Sequence, residues 1–98
     1  MAKLQKIKTE EEGVTEYVFT CPGCKGVHMI RTEGARPCWQ WNGNIDKPTF
    51  SPSYFVGPGT NYACHSFIAD GKIQFLGDCW HELKGQTVEL PEWGGWPE

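Results

Sequence analysis

The sequence contains five cysteines and three histidines in 98 residues, enough thiol and imidazole groups to build a metal site. Cys21 and Cys24 form the motif Cys-Pro-Gly-Cys, a tight turn in which two thiolates can point at one tetrahedral ion. A thioredoxin-like redox pair would open a helix, and the Pro-Gly pair followed by Gly26 disfavours a helix here. The motif therefore predicts one half of a zinc site.

Cys64 and Cys79 are predicted to supply the other half. The dipeptide Asp70-Gly71 predicts a two-residue type I′ turn, and strand alternation on both sides of it puts the two cysteines on one face of a hairpin. Soft thiolates at tetrahedral spacing favour zinc. The predicted ligands of a structural Zn²⁺ are Cys21, Cys24, Cys64 and Cys79.

The histidines leave alternatives open. A one-residue bulge at the turn would bring His65 forward in place of the cysteine before it, and His81 could replace or join the cysteine two residues earlier. His28 lies in a predicted strand, where a ligand role is the lesser interpretation. Cys38 has no matching partner in the sequence and is expected to be a small buried apolar residue.

The number of protein ligands decides whether such a zinc is structural or catalytic. Four thiolates close the coordination sphere, whereas three ligands leave a position for water. Four residues near the predicted site are candidates for an additional ligand or a general base: His65, Asp78, His81 and Glu82. The predicted register puts His65 and Asp78 together on the face away from the cysteines, as a separate polar pair. Structural roles are the more common use of such residues, so a binding module is favoured over an enzyme.

Residues 39–53 are dense in tryptophan, amide and hydroxyl side chains, a composition typical of recognition surfaces. The candidate binding residues are Trp39, Trp41, Asn42 and Ser51. The same tryptophans could instead fill the core of a domain that has few aliphatic residues.

Short strands must position these groups, because twelve glycines, seven prolines and five tryptophans disfavour a helical bundle. Strands are predicted over 14–20, 27–31, 39–41, 54–56 and 87–90, with a hairpin over 66–76 and one helical turn over 80–84. The predicted fold class is mainly β: a small antiparallel-sheet domain with a zinc-knuckle or zinc-ribbon-like metal site and at most one short helix.

The chain is predicted to hold one domain. A polar segment, 1–13, precedes a single zinc-stabilised β-rich domain over 14–92, and 93–98 form a loose tail. Leu4 and Ile7 are placed to attach the first segment to the body as an edge strand. A net charge of −3 argues against nucleic acid as a partner, and the missing apolar run argues against a membrane. The missing secretory leader and the odd cysteine count indicate a cytoplasmic protein. Because the charge disfavours nucleic acid, a protein is the expected partner.

Three motifs resemble a family of small, largely uncharacterised phage and bacterial proteins: CPGC, WNGNIDKPTFSPS and CHSFIADGKIQFLGDCWHELKGQTVELPEW. Members are often labelled "ammonia monooxygenase" or "metal-binding protein". The resemblance implies a phage or prophage origin, with the host cytoplasm as location, or a bacterial gene found beside ubiquitin-like conjugation genes. It also implies metal binding at the Cys and His positions. The monooxygenase label does not fit, since that class resembles membrane-embedded copper proteins and this cluster is rich in thiolates.

Two functions follow from the sequence. The first is a zinc-binding module of phage or prophage type that acts by binding a protein. The alternative is a zinc-dependent hydrolase, or an accessory enzyme of a ubiquitin-like pathway, that uses His65, His81, Asp78 or Glu82 at or near the metal.

Overall fold

The computed structural model describes residues 2–34 and 36–96, which form nine strands and no helix. Every strand pairing among these residues is antiparallel, and the strands form three small sheets. The mainly β fold class is therefore confirmed. The first residue of the predicted N-terminal segment and the last two residues of the predicted tail lie outside the described residues.

The first sheet has the order β1-β2-β3 and carries the Cys-Pro-Gly-Cys motif in its hairpin turn. Its strands are β1 (Gln5–Ile7), β2 (Thr15–Cys21) and β3 (Gly26–Glu33). Cys21 pairs with Gly26, and Lys25 adopts φ 57° between them. The turn thus presents the first two cysteines at one end of the sheet.

The second and third sheets follow in the chain. The second consists of β4 (Gln40–Trp41) and β5 (Phe50–Ser51). The third has the order β6-β7-β8-β9, with β6 (Tyr54–Val56), β7 (Cys64–Ala69), β8 (Lys72–Phe75) and β9 (Thr87–Glu89).

The hairpin of β7 and β8 has the predicted turn and register. Asp70 and Gly71 both adopt positive φ, 51° and 76°, as a type I′ turn requires. Ser66 pairs with Phe75, and burial alternates along both strands. Because side chains alternate across a strand, one face of the hairpin joins the core and the other faces outward.

The core lies between the first and third sheets. Its fully buried side chains include Leu4, Phe19, Ile30, Ile68, Ile73, Phe75 and Leu90. Leu4 brings the N-terminal segment into this core, while β1 pairs with β2. At the other end of the chain, the Trp93 N–H donates to the Ala2 carbonyl at 2.9 Å.

The helical turn expected over 80–84 is wrong, because this segment forms bends and hydrogen-bonded turns. Long-range backbone bonds hold it in that shape. Trp80 N–H donates to Ala63 O and Gly85 N–H donates to Phe75 O, each at 2.9 Å. Within the described residues, no helix is long and apolar enough to cross a membrane.

Candidate active site and metal centre

Ser53 and His65 meet on the outward face of the third sheet. Phe55 of β6 lies directly opposite His65 of β7, and strand alternation puts Ser53 on the same face as Phe55, two residues earlier. A diagonal neighbour at this spacing is within reach across a strand pair. Ser53 Oγ lies 2.9 Å from His65 Nε2.

Asp78 reaches the other nitrogen of the same imidazole. Its Oδ2 lies 3.2 Å from His65 Nδ1. The chain after β8 stays beside β7, because Leu76 N–H donates to His65 O at 2.9 Å. It then turns back, since Cys79 N–H donates to Leu76 O at 3.3 Å. The turn between these residues carries the carboxylate to the imidazole.

The imidazole of His65 is held from several sides yet stays accessible. Its ring stacks on Phe55 with centroids 4.2 Å apart and an interplanar angle of 4°. Its side chain is 22% exposed, and that of Asp78 is 53% exposed. A hydroxyl, an imidazole and a carboxylate in this order form a serine–histidine–aspartate triad. In such a triad the imidazole can take the hydroxyl proton while the carboxylate orients the ring.

The cysteines gather on the opposite, buried side of the same sheet. The potential ligand atoms of one group lie within 4.8 Å of one another: Cys21, Cys24, His28 and Cys64. The potential ligand atoms of a second group also lie within 4.8 Å of one another: Cys64, Cys79 and His81. Cys64 belongs to both groups, and all five cysteines of the chain are free thiols.

The spacing of these atoms fits a tetrahedral ion. Two sulfurs bound to zinc at roughly 2.3 Å lie about 3.8 Å apart, and a bound sulfur and nitrogen lie about 3.6 Å apart. The observed distances are 4.0 Å between Cys21 Sγ and Cys64 Sγ, and 3.5 Å between Cys64 Sγ and His81 Nε2.

Two imidazole nitrogens beside the thiols are buried without a partner. His28 Nε2 and His81 Nδ1 make no hydrogen bond, which is costly for a buried polar atom. The sulfurs in turn accept N–H groups, from the Cys24 backbone to Cys21 Sγ at 3.4 Å and from Trp80 Nε1 to Cys24 Sγ at 3.3 Å. Such donors favour the thiolate form that binds metals.

One thiol of the cluster, Cys21, is poised to lose its proton. The hydrogen bond from Cys64 lowers the pKa of Cys21 to about 4, although burial opposes the shift. The same contact, together with burial, raises the pKa of Cys64. The pair therefore holds one thiolate readily, and these residues can hold a soft metal ion.

The two sites are joined along the chain. Cys64 immediately precedes His65, and Cys79 immediately follows Asp78. Cys79 Sγ accepts the backbone N–H of His65 at 3.3 Å and contacts the His65 carbonyl at 3.1 Å. The face that carries the Cys/His cluster therefore supports the face that carries the triad.

Three of the four cysteines predicted as ligands, Cys21, Cys24 and Cys64, fall in one group, whereas Cys79 shares a group with Cys64 and His81. His28, which the sequence ranked low, joins the cluster through β3. In the described part of the chain, neither His65 nor Glu82 belongs to a group that could hold a metal. Cys38 is exposed rather than buried, so that expectation is wrong: it lies in the loop before β4, away from the core.

The four residues predicted to bind a partner have different surroundings in the structure. Trp39 lines a cleft beside Ser53. Trp41 packs between Tyr17 and Phe50, at centroid distances of 4.8 and 5.6 Å, and so supports the fold. The side chain of Asn42 organises its loop by accepting the N–H groups of Asn44 and Thr49. Ser51 is exposed and pairs with Gln40.

Ser53 is the functional residue that sequence reasoning missed. It stood in the hydroxyl-rich segment with no signal to separate it from Thr49 or Ser51. Its role depends on the pairing of β6 with β7, and the connection over 57–63 is longer than a two-residue hairpin turn.

Fold and site together define a class: a small antiparallel β protein with a surface serine–histidine–aspartate triad, backed by a buried Cys/His cluster able to bind a metal. A family model matches residues 2–76, which include Ser53 and His65 and end just before Asp78. This chain belongs to that family, BubE, described as the bacterial ubiquitination-like system serine protease. Searches of curated proteins and of solved structures found no further match.

Proposed function

We propose that this protein is a serine protease whose nucleophile is Ser53. The observation that carries the proposal is the 2.9 Å contact between Ser53 Oγ and His65 Nε2, with Asp78 Oδ2 3.2 Å from the other ring nitrogen. The family description supports it independently, because it names a serine protease. The substrates would be proteins of a bacterial ubiquitination-like system.

The proposed reaction follows the chemistry of such triads. Ser53 Oγ attacks the carbonyl carbon of the scissile bond and passes its proton to His65 Nε2. The carbon–nitrogen bond then breaks, and the leaving amine takes that proton. Water next attacks the acyl ester and gives one proton to His65. The acid product leaves, and His65 returns the proton to Ser53. Throughout, Asp78 holds the ring and stabilises its charged form.

The Cys/His cluster would hold a structural Zn²⁺. Three thiolates are common to the ligand set expected from the sequence and to the four-residue group that the geometry brings together: Cys21, Cys24 and Cys64. The fourth ligand would come from His28, Cys79 or His81. Bound there, the ion would supply crosslinking rather than reaction chemistry, since these ligands face away from Ser53.

The geometry favours an enzyme over a module that only binds. The sequence alone ranked a protein-binding module first and a hydrolase second. The sequence-based hydrolase hypothesis put His65 and Asp78 at or near the metal, whereas they lie on the face away from the cysteines, with a serine. A protease also binds protein, so the expected protein partner becomes a substrate.

A fluorophosphonate probe, which reacts covalently with activated serines, tests the proposal. We expect wild-type protein to be labelled at Ser53 and Ser53→Ala to lose the label, because the nucleophile is gone. Ser51→Ala is the matched control: it removes an exposed hydroxyl two residues away and should leave labelling intact. Labelling that survives in Ser53→Ala, or no labelling of the wild type, would contradict the proposal.

A further inference from the structure

A cleft of about 360 Å³ lies between strands β3 and β6, next to Ser53. Among the described residues β3 is an outer strand of the first sheet and β6 an outer strand of the third, so β6 has no strand partner on the side away from β7. Trp39 lines the cleft, and its Nε1–H donates to the Ser53 carbonyl at 3.1 Å. Phe55 also lines the cleft and stacks on His65, so the cleft adjoins the backbone of Ser53 and the imidazole of the triad.

Hydrogen bonds between the two sheets hold the walls of this cleft. The Tyr54 hydroxyl of β6 donates to the carbonyl of Met29 in β3. The Trp39 N–H donates to the Arg31 carbonyl at 2.9 Å, and the Trp39 ring packs against Tyr54 at 5.1 Å. Because these contacts join β3 to β6, the fold itself sets the separation of the two walls.

The lining of the cleft is mostly apolar and carries no unbalanced charge. Its apolar side chains are Met29, Pro37, Trp39, Phe55 and Val56. Met29 is 52% exposed and Phe55 37% exposed, so the cleft presents apolar side chains at the surface. The two charged groups that line the cleft neutralise each other, since Arg31 Nε lies 3.3 Å from Glu16 Oε2.

We infer that this cleft is the substrate-binding site and that its occupant is an extended peptide segment with a bulky, uncharged side chain near the scissile bond. The backbone of the segment pairs with the free edge of β6, which leads directly from Ser53. The side chain enters the apolar cleft, whose volume is near the lower end of the roughly 300–1,000 Å³ typical of ligand clefts. This inference rests on the proposed function.

Cleavage of a complex peptide mixture tests the inference. The full chain is incubated with peptides from a digested bacterial proteome, and the cleavage sites are mapped by mass spectrometry. We expect leucine, methionine or phenylalanine to be enriched at one fixed position relative to the cleaved bond. Met29→Glu puts a carboxylate in the cleft, so the preference for apolar residues should fall by about tenfold and lysine or arginine should gain.

Ile45→Glu is the control, because Ile45 is also an exposed aliphatic residue but lies outside the cleft. The preference of this variant for apolar residues should stay within about twofold of the wild-type preference. The inference is overturned if the fluorophosphonate labels Ser53 but no peptide is cut, or if Met29→Glu retains the wild-type preference. A wild type that the probe does not label means that the proposed function itself has failed.

Discussion

At the scale of single residues, His65 is the side chain on which the site depends. Its two ring nitrogens have different partners, Asp78 at Nδ1 and Ser53 at Nε2. When Nδ1–H donates to the carboxylate, Nε2 has its lone pair free to accept the serine proton. Asp78 is therefore placed to favour the tautomer in which Nε2 can accept the hydroxyl proton of Ser53.

Asp78→Asn should lower kcat by about a hundredfold to ten-thousandfold, because an amide can hold the ring in the wrong tautomer. The folded state should be unaffected, since the Asp78 side chain is 53% exposed. Rates of fluorophosphonate labelling and of peptide cleavage measure the effect, and a melting curve checks the fold.

The matched control is Glu82→Gln, which also removes one negative charge from an exposed residue in the same part of the chain. Its rate should stay within about twofold of the wild type. If Glu82→Gln instead carried the large loss and Asp78→Asn did not, the carboxylate of the triad would be misassigned.

At the scale of elements, the two hairpin partners of β7 explain how far the sequence could predict the site. Asp70-Gly71 is a tight turn, so it determines the register of β7 with β8, and the pairing of His65 with Asp78 followed from it. The pairing of β6 with β7 has no such turn. Tyr54–Val56 was predicted as a strand, yet nothing in the sequence aligned it with His65. Ser53 could therefore not be predicted as a member of the triad.

The same contrast applies to the metal ligands. The two half-sites could be predicted because each is local: a Cys-x-x-Cys turn and the open end of one hairpin. The position of His28 beside Cys64 could not be predicted, because it depends on how the first sheet packs on the third. The exposure of Cys38 was missed for the same reason, since burial of a loop residue is decided by its surroundings.

The turn between β2 and β3 offers a test of this packing. A Cβ atom at Gly23 would lie 2.1 Å from His81 Cε1, so Gly23→Ala must displace the imidazole. We expect a loss of about 1–3 kcal/mol in the free energy of unfolding, as overpacking typically costs. Metal affinity should fall too. Thermal melts and zinc titration measure both effects.

Gly77→Ala is the control for this substitution, because a Cβ there meets nothing within 4 Å and the residue does not adopt a positive φ. It should leave stability and zinc affinity near the wild-type values. Equal behaviour of the two variants would show that the turn does not pack on His81.

At the scale of the whole molecule, the Cys/His cluster joins the two larger sheets. Cys21, Cys24 and His28 come from the first sheet, whereas Cys64 starts β7 of the third. A chain of 98 residues buries limited apolar surface, and small domains commonly need such a crosslink. The cluster includes Cys64 and Cys79, the chain neighbours of His65 and Asp78, so it also supports the triad.

Metal removal should therefore reduce stability and activity together, although no ligand touches the reacting atoms. Purified protein should hold one zinc per chain by elemental analysis. A chelator should lower the melting temperature by more than about 10 °C, since structural zinc contributes strongly to folding. Labelling of Ser53 should fall with the melting temperature, and added zinc should restore both.

Cys21→Ser should lose the metal, whereas Cys38→Ser, which changes an exposed cysteine outside the cluster, should keep it. A chelated protein that melts and labels like the untreated one would mean that the thiols hold the sheets together without a metal.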